Sequence, residues 1–216
     1  MIGYSKAHIT LALMLAGLAG FVDGMGFIHL GGLFVSFMSG NSTRLGVSLA
    51  QGEWHDAARG VMIILLFVVG AAAGALVAHD GRPSRRPILL LTEGCLLGGA
   101  ALANLLGVSA ISVGAMVIAM GMENAIFQKK GEPGIGLTYM TGALVRVGHR
   151  LAAALRGGDG SGWGPSLGLW ASLCFGALLG AHSYAAIGLD ALWIPSAVAF
   201  ALAIFVFRTD GREPQP

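Results

Sequence analysis

The side chains best placed to do chemistry are two carboxylates set within apolar runs. They are Asp23 in Phe21-Val22-Asp23-Gly24 and Glu123 in Met120-Gly121-Met122-Glu123-Asn124. On insertion scales, a charged residue at the centre of a membrane span costs about 2.5–3.5 kcal/mol, so it faces a partner or a polar cavity. A plainer reading stands beside this one. At 1.5 Å per residue, Asp23 lies only about 7–10 Å below a span end, where it could snorkel or cap a broken helix. Glu123 takes a similar place near the opposite surface. Glu93 pairs most simply with a loop arginine, Arg85 or Arg86. Asn104 and Asn124 suit interhelical hydrogen bonds or a binding site.

A polar, glycine-rich stretch follows Asp23 and contains Ser39-Gly40-Asn41 and Arg44. It recurs about a hundred residues later, with Met38 matching Met140, Ser39 Thr141, Gly40 Gly142, Arg44 Arg146 and Gly46 Gly148. Each hydroxyl residue suits a helix start, where free backbone N–H groups and the positive dipole end favour an anion. If the apolar residues before each start dip into the bilayer, two helix N-termini converge near its midplane. The alternative is an amphipathic helix lying in the interface. In the second segment Arg146, His149, Arg150 and Arg156 form a polar stripe opposite Leu144, Val147, Leu151 and Leu155.

These residues need a membrane scaffold, and the composition supplies one. The 216 residues are 55% hydrophobic and 11% charged, against about 25% charged in soluble domains. Mean hydropathy is +0.75. Apolar runs of span length recur, and in such a chain 35 glycines signal close helix packing rather than disorder. Cys95 and Cys174 both fall within predicted spans, which argues against a structural disulfide and against a thiolate metal site.

The periodicity predicts an all-α membrane protein of six transmembrane helices, at 9–30, 60–79, 88–107, 110–127, 167–188 and 191–207. The glycines at Gly24 and Gly26 predict a break in the first helix that folds Asp23 back onto the polar segment. Basic residues set the orientation. Arg82, Arg85 and Arg86 share one loop, Lys129, Lys130, Arg146, Arg150 and Arg156 another, and Arg208 and Arg212 follow the last span. All are cytoplasmic if both termini are. Trp54, Trp163 and Trp193 stand near span ends as interfacial anchors.

The order of features repeats. Gly70 and Gly74 are echoed by Gly176 and Gly180, Pro87 by Pro195, and Asp23 by Glu123. The halves are 1–107, with polar segment 34–50, and 108–207, with polar segment 137–156; a short cytoplasmic tail, 208–216, follows. Three crossings per half make two inverted three-helix repeats, each with a polar re-entrant or interfacial segment, a plan found in secondary transporters.

Phe21-Val22-Asp23-Gly24, Phe34 with Ser39-Gly40-Asn41 and Leu45-Gly46, and Met120-Gly121-Met122-Glu123-Asn124 with Thr141-Gly142 together resemble the YoaK-like family. These are uncharacterised bacterial integral membrane proteins of about this length, and the resemblance covers essentially the whole chain. It implies location in the bacterial inner membrane and implies no activity. The family pattern has Thr where Ser39 stands, which keeps the hydroxyl, and Gln where Glu123 stands.

No Walker loop, dinucleotide fingerprint, zinc-protease motif or nucleophile elbow is present, so an enzyme, a cofactor and a metal are not expected. The basic stripe is too short and too close to the bilayer to argue for nucleic acid. The leading expectation is a secondary transporter of a small solute, anions included, coupled to an ion or proton. Asp23, Ser39, Asn41, Arg44, Glu123, Asn124, Thr141 and Arg146 are its candidate binding residues. The alternative is a non-transporting membrane scaffold that packs through its glycine faces, within the bundle or in a homo-oligomer.

Overall fold

The computed structural model describes residues 6–79, 85–127, 139–158 and 161–210. Arg82, Lys129, Lys130, Arg212 and the start of the second polar segment lie outside these residues. The described chain is helical: α1 (Lys6–His29), α2 (Met38–Gln51), α3 (Trp54–His79), α4 (Arg85–Leu105), α5 (Ser109–Glu123), α6 (Met140–Leu155), α7 (Gly164–Ile187) and α8 (Trp193–Asp210), with a 3-10 turn at Gly188–Leu192. No strand occurs among the described residues.

Among the described residues, four stretches are long and apolar enough to cross a membrane: Ala7–His29, Trp54–Ala78, Arg85–Leu105 and Gly164–Arg208. The last holds both α7 and α8. α5 is apolar but has only 15 residues, about 22 Å of helix. The outside of the bundle is apolar: Met62, Leu65, Val68, Val69 and Leu76 of α3 are all more than half exposed. Lipid rather than water suits such a surface.

Without a hydrophobic force between helices in lipid, close packing holds the bundle together, and glycine makes it possible. A Cβ on Gly176 would stand 1.9 Å from the Gly17 carbonyl oxygen, and one on Gly180 would stand 2.0 Å from that of Phe21. Both contacts advance one turn along α1 and α7 together, so these helices run parallel. Gly70 and Gly74 approach the carbonyls of Ile118 and Met122 in the same way, making α3 and α5 parallel. Gly94 faces Phe200 and Gly98 faces Ser196, so α4 and α8 run antiparallel. The Ser196 hydroxyl also donates to the Gly94 carbonyl at 2.8 Å.

α1 is not broken at Gly24 or Gly26, contrary to the sequence expectation. It is continuous to His29. Those glycines serve close approach instead. Gly24 lies against the Ala177 carbonyl, and the Val35 side chain fills the space a Cβ on Gly26 would need.

Candidate functional site

The site begins where α1 ends. Gly31 and Gly32 take φ of 66° and 98°, a left-handed region that lets the chain reverse. The Gly32 amide donates to the Phe27 carbonyl at 2.7 Å, closing the helix. Two arginines cap the same end. Arg44 donates to the Gly31 carbonyl at 3.2 Å, and Arg59 donates to that of Leu30 at 3.1 Å. Cations favour a helix C-terminus because its last carbonyls are unpaired and carry partial negative charge.

Residues 32–37 then run back alongside α1. Phe34 stacks on Phe27 with centroids 4.8 Å apart and meets Phe37 edge-on at 5.2 Å. Irregular backbone at this depth needs partners for its amides. Asp23 provides two of them: its Oδ1 accepts from the Val35 and Ser36 amides, each at 2.7 Å. The Ser36 hydroxyl donates to Oδ2 at 2.5 Å. Fully buried Asn41 clamps Phe34 from both sides, accepting from its amide at 2.8 Å and donating to its carbonyl at 2.7 Å.

Asp23 lies six residues before the end of α1, about 9 Å in. The start of α2 is therefore held at that depth, while Arg44 is back level with the end of α1. The first turn of α2 thus points its N-terminus inward. α6 behaves alike against α7: Arg146 donates to the Ser166 hydroxyl at 3.3 Å near the start of α7. Met140 and Thr141 lie deeper, beside the middle of α7, as the lining of a shared cavity shows.

That cavity has a volume of about 490 Å³. α1 contributes Asp23, Gly24, Phe27 and Ile28, and the re-entering loop contributes Phe34, Ser36 and Phe37. α6 contributes Met140, Thr141 and Leu144, and α7 closes it with Trp170, Leu173, Ala177 and Ala181. The walls are largely apolar. The buried Asp23 carboxylate, the Ser36 hydroxyl and Thr141 at the start of α6 supply the polarity.

Of the residues singled out in sequence, Asp23 and Thr141 line this cavity. Asn41 shapes it through Phe34. Ser39 is exposed, and Arg44 and Arg146 are engaged elsewhere, so none of these three reaches the lining. Asn124 donates back to the Met120 carbonyl at 3.0 Å. Glu123 is fully buried apart from the cavity lining. Sequence reasoning missed Ser36, Trp170 and the three phenylalanines as cavity residues, although Ser36 stood inside the repeated polar stretch.

Glu93 departs from expectation. It is fully buried, and neither of its carboxylate oxygens has a hydrogen-bond partner among the described residues. It does not pair with Arg86, whose guanidinium lies over the Phe127 ring at 5.8 Å and 2.6 Å from His8 Nε2. Asn104 serves as interhelical glue, donating to Asp190 at 2.9 Å. No group of three or more metal-ligating side chains occurs among the described residues.

Comparison with known proteins places this chain in a family. A family model described as a protein of unknown function, DUF1275, matches residues 11–205. The chain is 37% identical over 209 residues to the UPF0700 transmembrane protein RA0705 of Rhizobium meliloti (strain 1021), covering 96% of this chain and 90% of that protein. No solved structure matches.

Proposed function

We propose that this chain, which belongs to the DUF1275 family of multi-pass membrane proteins, is a secondary transporter of a small solute. One observation carries the reading: the cavity of about 490 Å³ in which the loop leading into α2 and the start of α6 meet Asp23. The solute would have a compact apolar body, suited to Phe27, Phe34 and Trp170, and an anionic group. That group would compete with Asp23 for the Val35 and Ser36 amides and meet the Thr141 hydroxyl.

The reading includes six crossings arranged as two inverted repeats in the inner membrane, with both termini cytoplasmic. Support comes from the glycine contacts. Pairing α1 with α5, α2 with α6, α3 with α7 and α4 with α8 carries Gly176 against Gly17 onto Gly70 against Ile118. The same pairing carries Gly20 against Leu173 onto Gly121 against Phe67. It aligns Asp23 with Asn124, one residue beyond Glu123. Parallel α1 and α7, parallel α3 and α5, and antiparallel α4 and α8 are what six alternating crossings require. The scaffold alternative is less favoured, because the glycine faces it would use are occupied inside the bundle.

The test uses purified protein in lipid vesicles and a panel of small carboxylates and neutral analogues. At least one anion should raise the melting temperature and be taken up under an ion or proton gradient. Ala181→Phe, which fills the cavity, should abolish both effects without lowering the melting temperature of the protein alone. Binding and uptake unchanged in that variant would overturn the reading.

A further inference from the structure

Glu93 and Glu123, neither of which lines the cavity, are buried at nearly the same depth on the packed helices α4 and α5. The helices form an antiparallel hairpin around Leu106–Val108, and the Arg86–Phe127 contact joins their far ends. Glu93 lies 14 residues before Gly107 and Glu123 lies 16 after it, so their depths differ by only about 3 Å. Both are fully buried, and all four of their carboxylate oxygens lack a hydrogen-bond partner among the described residues. Glu93 and Asp23 both act on Glu123 electrostatically.

Among the described residues, the elements around the pair supply no neutralising partner at that depth. Against α5, α3 sets Phe67, Ala71 and Gly74, the last beside Met122 and Ala125, and against α4, α8 sets Ser196 and Phe200. α1 contributes Asp23, which is occupied by Val35 and Ser36, and His8, which meets Arg86. Arg86 itself lies about two turns from Glu93 toward the helix start. Two buried anions facing each other without a cation or donor would be severely destabilising. A proton removes one charge and the repulsion together.

We propose that Glu93 and Glu123 form a single proton-binding site, separate from the Asp23 cavity, holding one proton between two carboxyl groups. Its role as the coupling site rests on the transport reading above; proton binding itself does not. Release of the proton leaves two facing carboxylates and drives α4 and α5 apart, while uptake lets them close. One charge moves on and off the pair, and no other reactant is needed.

The test is labelling of the whole protein in lipid vesicles with dicyclohexylcarbodiimide, which attacks carboxylic acids held in apolar surroundings. Peptide mapping should find the adduct on Glu93 or Glu123, diminishing as pH rises and unaffected by sodium or potassium ions. The infrared carbonyl band of a protonated carboxylic acid should be present in the wild type and lost in the Glu93→Gln, Glu123→Gln double variant. Because glutamine is a neutral isostere, that variant should melt no lower than the wild type. Labelling confined to Asp23, absence of label on both glutamates at low pH, or protection by an alkali cation would overturn the proposal. Labelling without any solute uptake would uphold the proton site while removing the transport reading.

Discussion

Ser36 donates twice to Asp23, from its amide to Oδ1 at 2.7 Å and from its hydroxyl to Oδ2 at 2.5 Å. These bonds fasten a loop that has left regular secondary structure to the helix it has just left. They decide where the α2 N-terminus sits.

Removing either partner should loosen the loop. Hydrogen bonds to charged groups contribute about 1.5–3 kcal/mol, and an unsatisfied buried donor costs about 1–3 kcal/mol. Asp23→Ala should therefore destabilise more than Ser36→Ala, which leaves both amide bonds in place. The double variant should be less destabilised than the sum, since the residues share one network. Thermal unfolding of the four proteins in the same detergent measures this. Additive losses would mean the contact is not formed in solution.

Asn41 offers a sharper test because it both donates and accepts. Asn41→Asp keeps the acceptor for the Phe34 amide but loses the donor to the Phe34 carbonyl and buries a charge. It should cost more than Asn41→Ala, itself expected to cost about 1–3 kcal/mol. Equal melting temperatures for the two variants would show that the clamp does not hold Phe34.

The glycine contacts predict a ranking along one helix type. Gly176→Ala and Gly70→Ala would place a Cβ 1.9 Å and 2.2 Å from backbone carbonyl oxygens, which cannot swing aside. Overpacking commonly costs about 1–3 kcal/mol, and a backbone clash falls at the upper end or beyond. Gly46→Ala and Gly148→Ala meet nothing within 4 Å and should be neutral or slightly stabilising, as alanine favours helix by up to about 1 kcal/mol. Melting temperatures in a common detergent give the order.

How much of this was legible beforehand differs by residue. Asp23 was visible because an acid in an apolar run has few innocent explanations. Its partners were not, since two of the three donors are backbone amides and carry no side-chain signature. The polar segments were visible through their repeat, and both fold as helices starting at Met38 and Met140. Arg44 and Arg146 do not line the cavity: Arg44 caps the end of α1 and Arg146 meets Ser166, contacts that sequence spacing cannot tell from a ligand contact. Glu93 was misread for a related reason. Proximity in sequence suggested an arginine partner, but the side chain turns inward, and Arg86 is committed to Phe127 and His8. The membrane character of the chain was legible from hydropathy, and four stretches are long and apolar enough to cross, yet the directions of the helices emerged only from which glycine meets which carbonyl.

Those directions lead to a prediction about sidedness. If the proposed six crossings alternate, parallel α1 and α7 and antiparallel α4 and α8 put the end of α2 and the start of α4 on opposite faces. On the proposed topology, the basic residues Arg85 and Arg86 at the start of α4, with Arg208 at the end of α8, would lie on the cytoplasmic face. The turn from α2 to α3 at Gly52 then faces outward, and the cavity beside the end of α1 lies nearer that side. In a background where Cys95 and Cys174, the two free thiols, are replaced by alanine, a cysteine is introduced at Gln51 or at Ser84. A membrane-impermeant maleimide added to intact cells should label Gln51→Cys and spare Ser84→Cys. After the cells are opened, both should react. Labelling of Ser84→Cys from outside would reverse the orientation, and labelling of both in intact cells would mean that α3 does not cross, removing the inverted repeat with it.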